Sequence, residues 1–149
     1  MAVRSSIMTL LALLLWASQW NEASSQSKNA MQFETLTPWI ITAESKSKEL
    51  SQERQELLLK AASAISDSLT KHGKAELLFV CTHNSRRSHL GQVWASVAAE
   101  QYGVKNVQSY SCGTESTECN IRTVKSLRRS GLSVVQQSLK KNPIYLLQF

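Results

Sequence analysis

The sequence predicts an α/β fold: a three-layer arrangement around a parallel sheet, incomplete and preceded by a long helix. Three observations predict it. Leu77-Leu78-Phe79-Val80 is a short unbroken apolar run, the pattern of a strand buried on both faces. A polar loop follows, and then apolar residues at helical spacing. From Val107 the same order of strand, turn and helix returns, which is the grammar of βαβ units with helices covering a parallel sheet.

The amino-terminal end stands apart. Ile7 to Ala17 is almost wholly apolar and follows Arg4. At about eleven residues it falls short of the roughly 18 that span a bilayer. A positive charge, a short apolar block and the small residues Ala23-Ser24-Ser25 fit a secretory signal peptide. A second reading takes Met31 as the true start and residues 1–30 as spurious extension, and a third makes them a packed helix. The chain is secreted or periplasmic if residues 1–25 act as a signal, and cytoplasmic otherwise. Membrane contact is expected only through this segment, if it stays uncleaved. Residues 1–30 are therefore left out of the fold.

Residues 31–73 read as a helical N-terminal segment and 74–149 as a partial α/β domain. Phe33, Leu36, Trp39, Ile40 and Ile41 have the apolar content of a piece that packs onto the domain. Ser45 to His72 reads as one long helix, with Leu50, Leu57, Leu58, Ala61, Ile65 and Leu69 at three- and four-residue steps. Gly73 supplies its stop. After the first strand and its loop, Leu90, Val93, Trp94 and Val97 mark a helix that ends near Tyr102-Gly103. Val107 to Ser111 is the second strand, and Gly113-Thr114 turns the chain. Asn120 suits the N-cap of a helix carrying Ile121, Val124 and Leu127, closed by Gly131. Val134-Val135 and Ile144 to Phe149 are further strand candidates.

At 149 residues the chain suits one domain rather than two. Lys and Arg total 17 against 11 acids, a net charge of +6 that points to an anionic partner. The positives are spread out, with small clusters at Arg86-Arg87, Arg128-Arg129 and Lys140-Lys141. No long basic run interleaves with aromatics, so a small anion fits and a nucleic acid does not. Cys81, Cys112 and Cys119 are too few, and odd in number, for a disulfide scaffold. No CxxC or HxxxH spacing builds a metal site, and no cofactor is implied.

Chemistry concentrates in Cys81 to Ser88, between a strand and a helix. Loop amides there can curl around a tetrahedral oxyanion, and the helix N-terminus adds partial positive charge. A thiol in that position has its pKa lowered, because the thiolate is the anion being stabilised. Arg87 can return to the same oxyanion with a bidentate fork. The Ser88 hydroxyl can hydrogen-bond the thiolate. Asn84 suits a position pushed toward left-handed backbone. His83 and His89 flank the loop as peripheral contacts that favour an anion when protonated. Trp94 reads as a core residue.

The stretch Leu78-Phe79-Val80-Cys81-Thr82-His83-Asn84-Ser85-Arg86-Arg87-Ser88 resembles the phosphate-binding loop of low-molecular-weight protein tyrosine phosphatases and of the related thioredoxin-coupled arsenate reductases. The Cys-x5-Arg-Ser spacing, the Asn three residues after the Cys, and the flanking strand and helix carry the likeness. Ser111-Cys112-Gly113-Thr114 sits where that family has a Ser/Gly-rich turn. The resemblance spans roughly residues 76–133. It implies a phosphotyrosine protein phosphatase I-like fold, with Cys81 as nucleophile, Arg87 as oxyanion clamp and Ser88 as thiolate partner. Thr82, His83, Asn84, Ser85, Arg86 and Arg87 would bind phosphate. The implied partner is a phosphate monoester or another tetrahedral oxyanion, with a phosphotyrosine protein as one source. The family often has Gly where His83 stands and a second Cys where Arg86 stands.

Thiolate attack on a phosphate monoester needs a proton for the leaving oxygen. The family takes it from an Asp near its C-terminus, but the one Asp here is Asp67, on the preceding helix. Glu115 and Glu118 could approach the loop but are not assigned the task. The expectation is a C-terminally truncated member that binds oxyanions and turns over poorly. Arsenate reduction and non-catalytic oxyanion binding are the alternatives. Cys112 and Cys119 share the seven-residue spacing of the reductases' resolving pair, but they come too early in the chain and read as structural thiols.

Overall fold

A computed structural model describes residues 34–115 and 117–148. The leader, Phe33 and Phe149 lie outside the described residues.

The stretch expected as one helix over 45–72 is two. Helix α1 covers residues 34–47 and α2 covers Gln52–His72. The break is a capping event. Ser51 Oγ accepts from the Arg54 amide at 3.3 Å, and Gln55 Nε2 donates to the Leu50 carbonyl at 2.8 Å. A hydroxyl that serves as an N-cap ends the helix before it as well as starting the next. At the far end Gly73 adopts φ 69° and donates its N–H to the Leu69 carbonyl at 2.9 Å, which stops α2 as its sequence position suggests. No residue of α2 is buried; its C-terminal half lines a shallow groove against β1.

Strands β1 (Ala75–Cys81) and β2 (Val107–Gly113) pair in parallel, from Ala75 opposite Val107 to Cys81 opposite Gly113. Helix α3 (Arg87–Gln101) makes the crossover. It packs on one face of β1, where a Cβ on Gly91 would stand 2.5 Å from the Phe79 ring. A polar seam fixes it over β2. Gln92 Nε2 donates to the Ser109 carbonyl at 3.1 Å, and Ser111 Oγ donates to Gln92 Oε1 at 2.7 Å.

Burial on both faces, expected for β1, is not found among the described residues. Leu77 and Phe79 are half-buried, but Leu78 and Val80 are 61% and 60% exposed on the opposite face. The apolar run records sheet membership but does not show how many faces are covered. The later strands also differ from a continued parallel sheet. Strands β3 (Ser133–Gln136) and β4 (Tyr145–Gln148) pair with each other, antiparallel. Their short connection is tied by Gln137 N–H to the Ile144 carbonyl at 2.8 Å. A parallel pair needs a longer crossover than that connection provides.

Helix α4 (Ile121–Arg129) begins at Asn120, whose Oδ1 accepts from the Arg122 amide at 2.9 Å. The core gathers Val97 of α3, Val124 and Leu127 of α4, Leu132, Val134 of β3 and Leu36 of α1. Leu36 is fully buried, and Ile40 packs beside it as the sequence suggests. Trp39 and Ile41 do not follow; both are at least half exposed.

Candidate active site

The β1–β2 register decides where the loop after β1 goes. It sets Cys81 opposite Gly113, so the chain leaving β2 runs along the Cys81–Ser88 loop. That second segment takes up the loop's carbonyls one after another. Thr114 N–H donates to the Cys81 carbonyl at 3.3 Å, and Glu115 N–H to that of Thr82 at 2.8 Å. Thr117 Oγ1 donates to the His83 carbonyl. The Ser85 carbonyl accepts from Asn120 N–H and from Thr123 Oγ1, each at 3.0 Å. With these carbonyls bonded outward, the amides of Asn84, Ser85 and Ser88 turn toward Cys81 Sγ.

Two residues make the turn possible. Asn84 stands at φ 44° and accepts from Ser88 Oγ at 2.8 Å. Gly113 leaves room: a Cβ there would fall on the Asn84 backbone nitrogen and 2.8 Å from the Thr82 carbonyl oxygen.

Cys81 Sγ lies 3.1 Å from Ser88 Oγ. That hydroxyl is the main reason the thiol is lowered to about 6; the amides of Ser88, Ser85 and Asn84 add to it and partial burial opposes it. Cys81 lines a cavity of about 530 Å³ shared with His83, Ser85, Arg86 and Arg87. Neither guanidinium group has a hydrogen bond or ion pair with another described residue, so both can meet an anion. Thr82 and Asn84 do not line the cavity, and Ser88 is buried behind Cys81.

Three side chains enter the site that sequence reasoning left out of it. Glu115 Oε2 lies 3.0 Å from His83 Nε2. Glu118 and Cys119 line the cavity. Only the pairing of β1 with β2 brings residues more than thirty positions apart together, and no local pattern announces it. Cys119 is pushed up from the ordinary thiol value by burial. Cys112 pairs with Val80 along the sheet and does not line the cavity. His89 faces a neighbouring cavity, and Asp67 of α2 lines neither. Among the described residues no cluster of three His, Cys, Asp or Glu could hold a metal ion.

The family comparison falls on this geometry. A family model described as low molecular weight phosphotyrosine protein phosphatase matches residues 76–144. Over residues 76–144 the chain is similar to that family. The matched segment starts within β1, ends just before β4 and contains the whole loop. No curated protein and no solved structure matches the chain. The likeness supports a phosphatase-type function and a phosphate-containing substrate.

Proposed function

We propose that the chain hydrolyses phosphate monoesters through Cys81, with phosphotyrosine-like aryl phosphates as the substrate class. One observation carries the reading: a thiol lowered to about 6 that lines a cavity, with a hydroxyl and three amides converging on it. At neutral pH that sulfur is a thiolate, the form that attacks.

The phosphoryl group enters above Cys81, and Arg87 clamps its equatorial oxygens. Sγ attacks phosphorus, the S–P bond forms, and the P–O bond to the leaving group breaks. Attack of water on the cysteinyl-phosphate then returns the thiolate and inorganic phosphate. Ser88 steadies the thiolate as it departs. Thr82, His83, Asn84, Ser85 and Arg86 frame the phosphate as the loop backbone. Arsenate reduction would require a second thiolate to attack Cys81. Cys119 shares the cavity, but burial holds it protonated, which favours hydrolysis.

Hydrolysis of p-nitrophenyl phosphate by the full chain tests the reading. Cys81→Ser is expected to reduce turnover to background while phosphate binding persists. Turnover that survives the substitution overturns the assignment.

A further inference from the structure

The hydrolase reading needs a proton donor for the leaving group, and among the described residues no aspartate lines the cavity beside Cys81. We infer that His83, held by Glu115, is the general acid and base of the site; the inference rests on the hydrolase reading.

His83 lines the cavity with Cys81, so it borders the space a substrate must occupy. Glu115 Oε2 takes its Nε2 at 3.0 Å. A bond at one ring nitrogen fixes the tautomer and frees the other, Nδ1, for proton transfer. Both residues are anchored by their backbones. The His83 carbonyl accepts from Thr117 Oγ1, and Glu115 N–H is tied to Thr82 at 2.8 Å. Histidine is the side chain most often used for general acid–base catalysis, and one imidazole can serve both halves of the reaction. Glu118 is the competing acid in the cavity. Its backbone carbonyl is held by Ser85 Oγ at 2.9 Å, but no contact among the described residues aims its carboxylate. The other charged groups around the cavity, Arg86 and Arg87, have no removable proton at working pH.

The step balances without an added reagent. As the thiolate forms the S–P bond, the P–O electron pair leaves on the alcohol oxygen, which takes the proton from His83 Nδ1. The neutral ring then accepts a proton from the water that attacks the cysteinyl-phosphate. The P–S pair returns to Cys81. One monoester and one water give one alcohol and one phosphate. Glu115 is a positioning residue in this scheme.

The discriminating measurement is leaving-group dependence. The full chain is assayed on p-nitrophenyl phosphate, whose leaving group departs without help, and on phenyl phosphate, which needs a proton. His83→Gln is expected to lower kcat on phenyl phosphate by about 10²–10⁴-fold and to cost far less on p-nitrophenyl phosphate. Glu115→Gln should lower kcat on phenyl phosphate with KM unchanged. Unchanged tungstate binding by calorimetry shows that the loop survives in both variants. Equal losses on the two substrates, lost tungstate binding in His83→Gln, or a selective loss in Glu118→Gln instead would overturn the assignment. Absence of Cys81-dependent turnover of p-nitrophenyl phosphate by the unmodified chain would instead strike the hydrolase reading, and this inference would fall with it.

Discussion

Gly113 and Asn84 are in backbone contact. A methyl group at Gly113 would overlap the Asn84 nitrogen and press on the carbonyl of Thr82 and the carbonyl carbon of His83, at 2.8 and 2.9 Å. These are main-chain atoms and cannot swing away like a side-chain tip. Gly113→Ala therefore forces the loop off β2. Overpacking of this kind costs about 1–3 kcal/mol. Tungstate affinity should fall with thermal stability, whereas Gly73→Ala, which meets no neighbour within 4 Å, should spare tungstate binding. Calorimetry with both variants separates the outcomes.

Cys81 gives a pH prediction. Its folded thiol loses its proton near 6, against 9.0 for an ordinary thiol. Iodoacetamide should alkylate Cys81 with a rate that rises to a midpoint near 6. Ser88→Ala removes the largest cause of the shift, and the midpoint should climb toward the ordinary value. Stability follows by linkage. Between the two values the unfolded chain holds a proton that the folded chain has released, so stability rises with pH. This contribution is complete above 9 and is lost as pH falls through about 6. Denaturation midpoints across that window should lose much of this slope in Ser88→Ala.

Asn84 combines two roles that substitutions can separate. Its backbone sits at φ 44°, and its side chain accepts from Ser88 Oγ. Asn84→Gly keeps the backbone and loses the acceptor; Asn84→Ala loses the acceptor and adds left-handed strain of roughly 1–2 kcal/mol. Both variants release Ser88, but Ala should unfold at lower denaturant than Gly. Equal midpoints would show that the loop does not hold Asn84 in the left-handed region.

Sequence and structure agree where the information is local. The Cys81–Ser88 loop, the caps at Gly73 and Asn120, and the first two strands all rest on neighbouring residues, and all are legible. What escapes is non-local. Ser51 breaks the long helix through a bond that competes with an otherwise unbroken apolar rhythm. Leu78 and Val80 have strand character, yet the sequence does not state whether a helix covers them. The contact between Glu115 and His83 depends on a strand register that no motif encodes.

Leu36 supplies the last prediction. It comes from α1, outside the family match, and is fully buried among Val97, Val124 and Leu127. Thr35 Oγ1 donates to the Gly131 carbonyl at 3.4 Å and Tyr102 Oη to Glu44 Oε1 at 2.6 Å, so α1 is tied down on both sides of this contact. If α1 supports the core of the matched segment, truncating Leu36 should open a cavity beneath it. Leu36→Ala is expected to cost about 2–5 kcal/mol in urea unfolding. Leu139, 97% exposed, is the control, and Leu139→Ser should stay within about 0.5 kcal/mol. Amide exchange should then rise in α3 and α4 of the Leu36 variant as well as in α1, because those helices share the cavity. Faster exchange confined to α1 would make it a surface attachment rather than a part of the core.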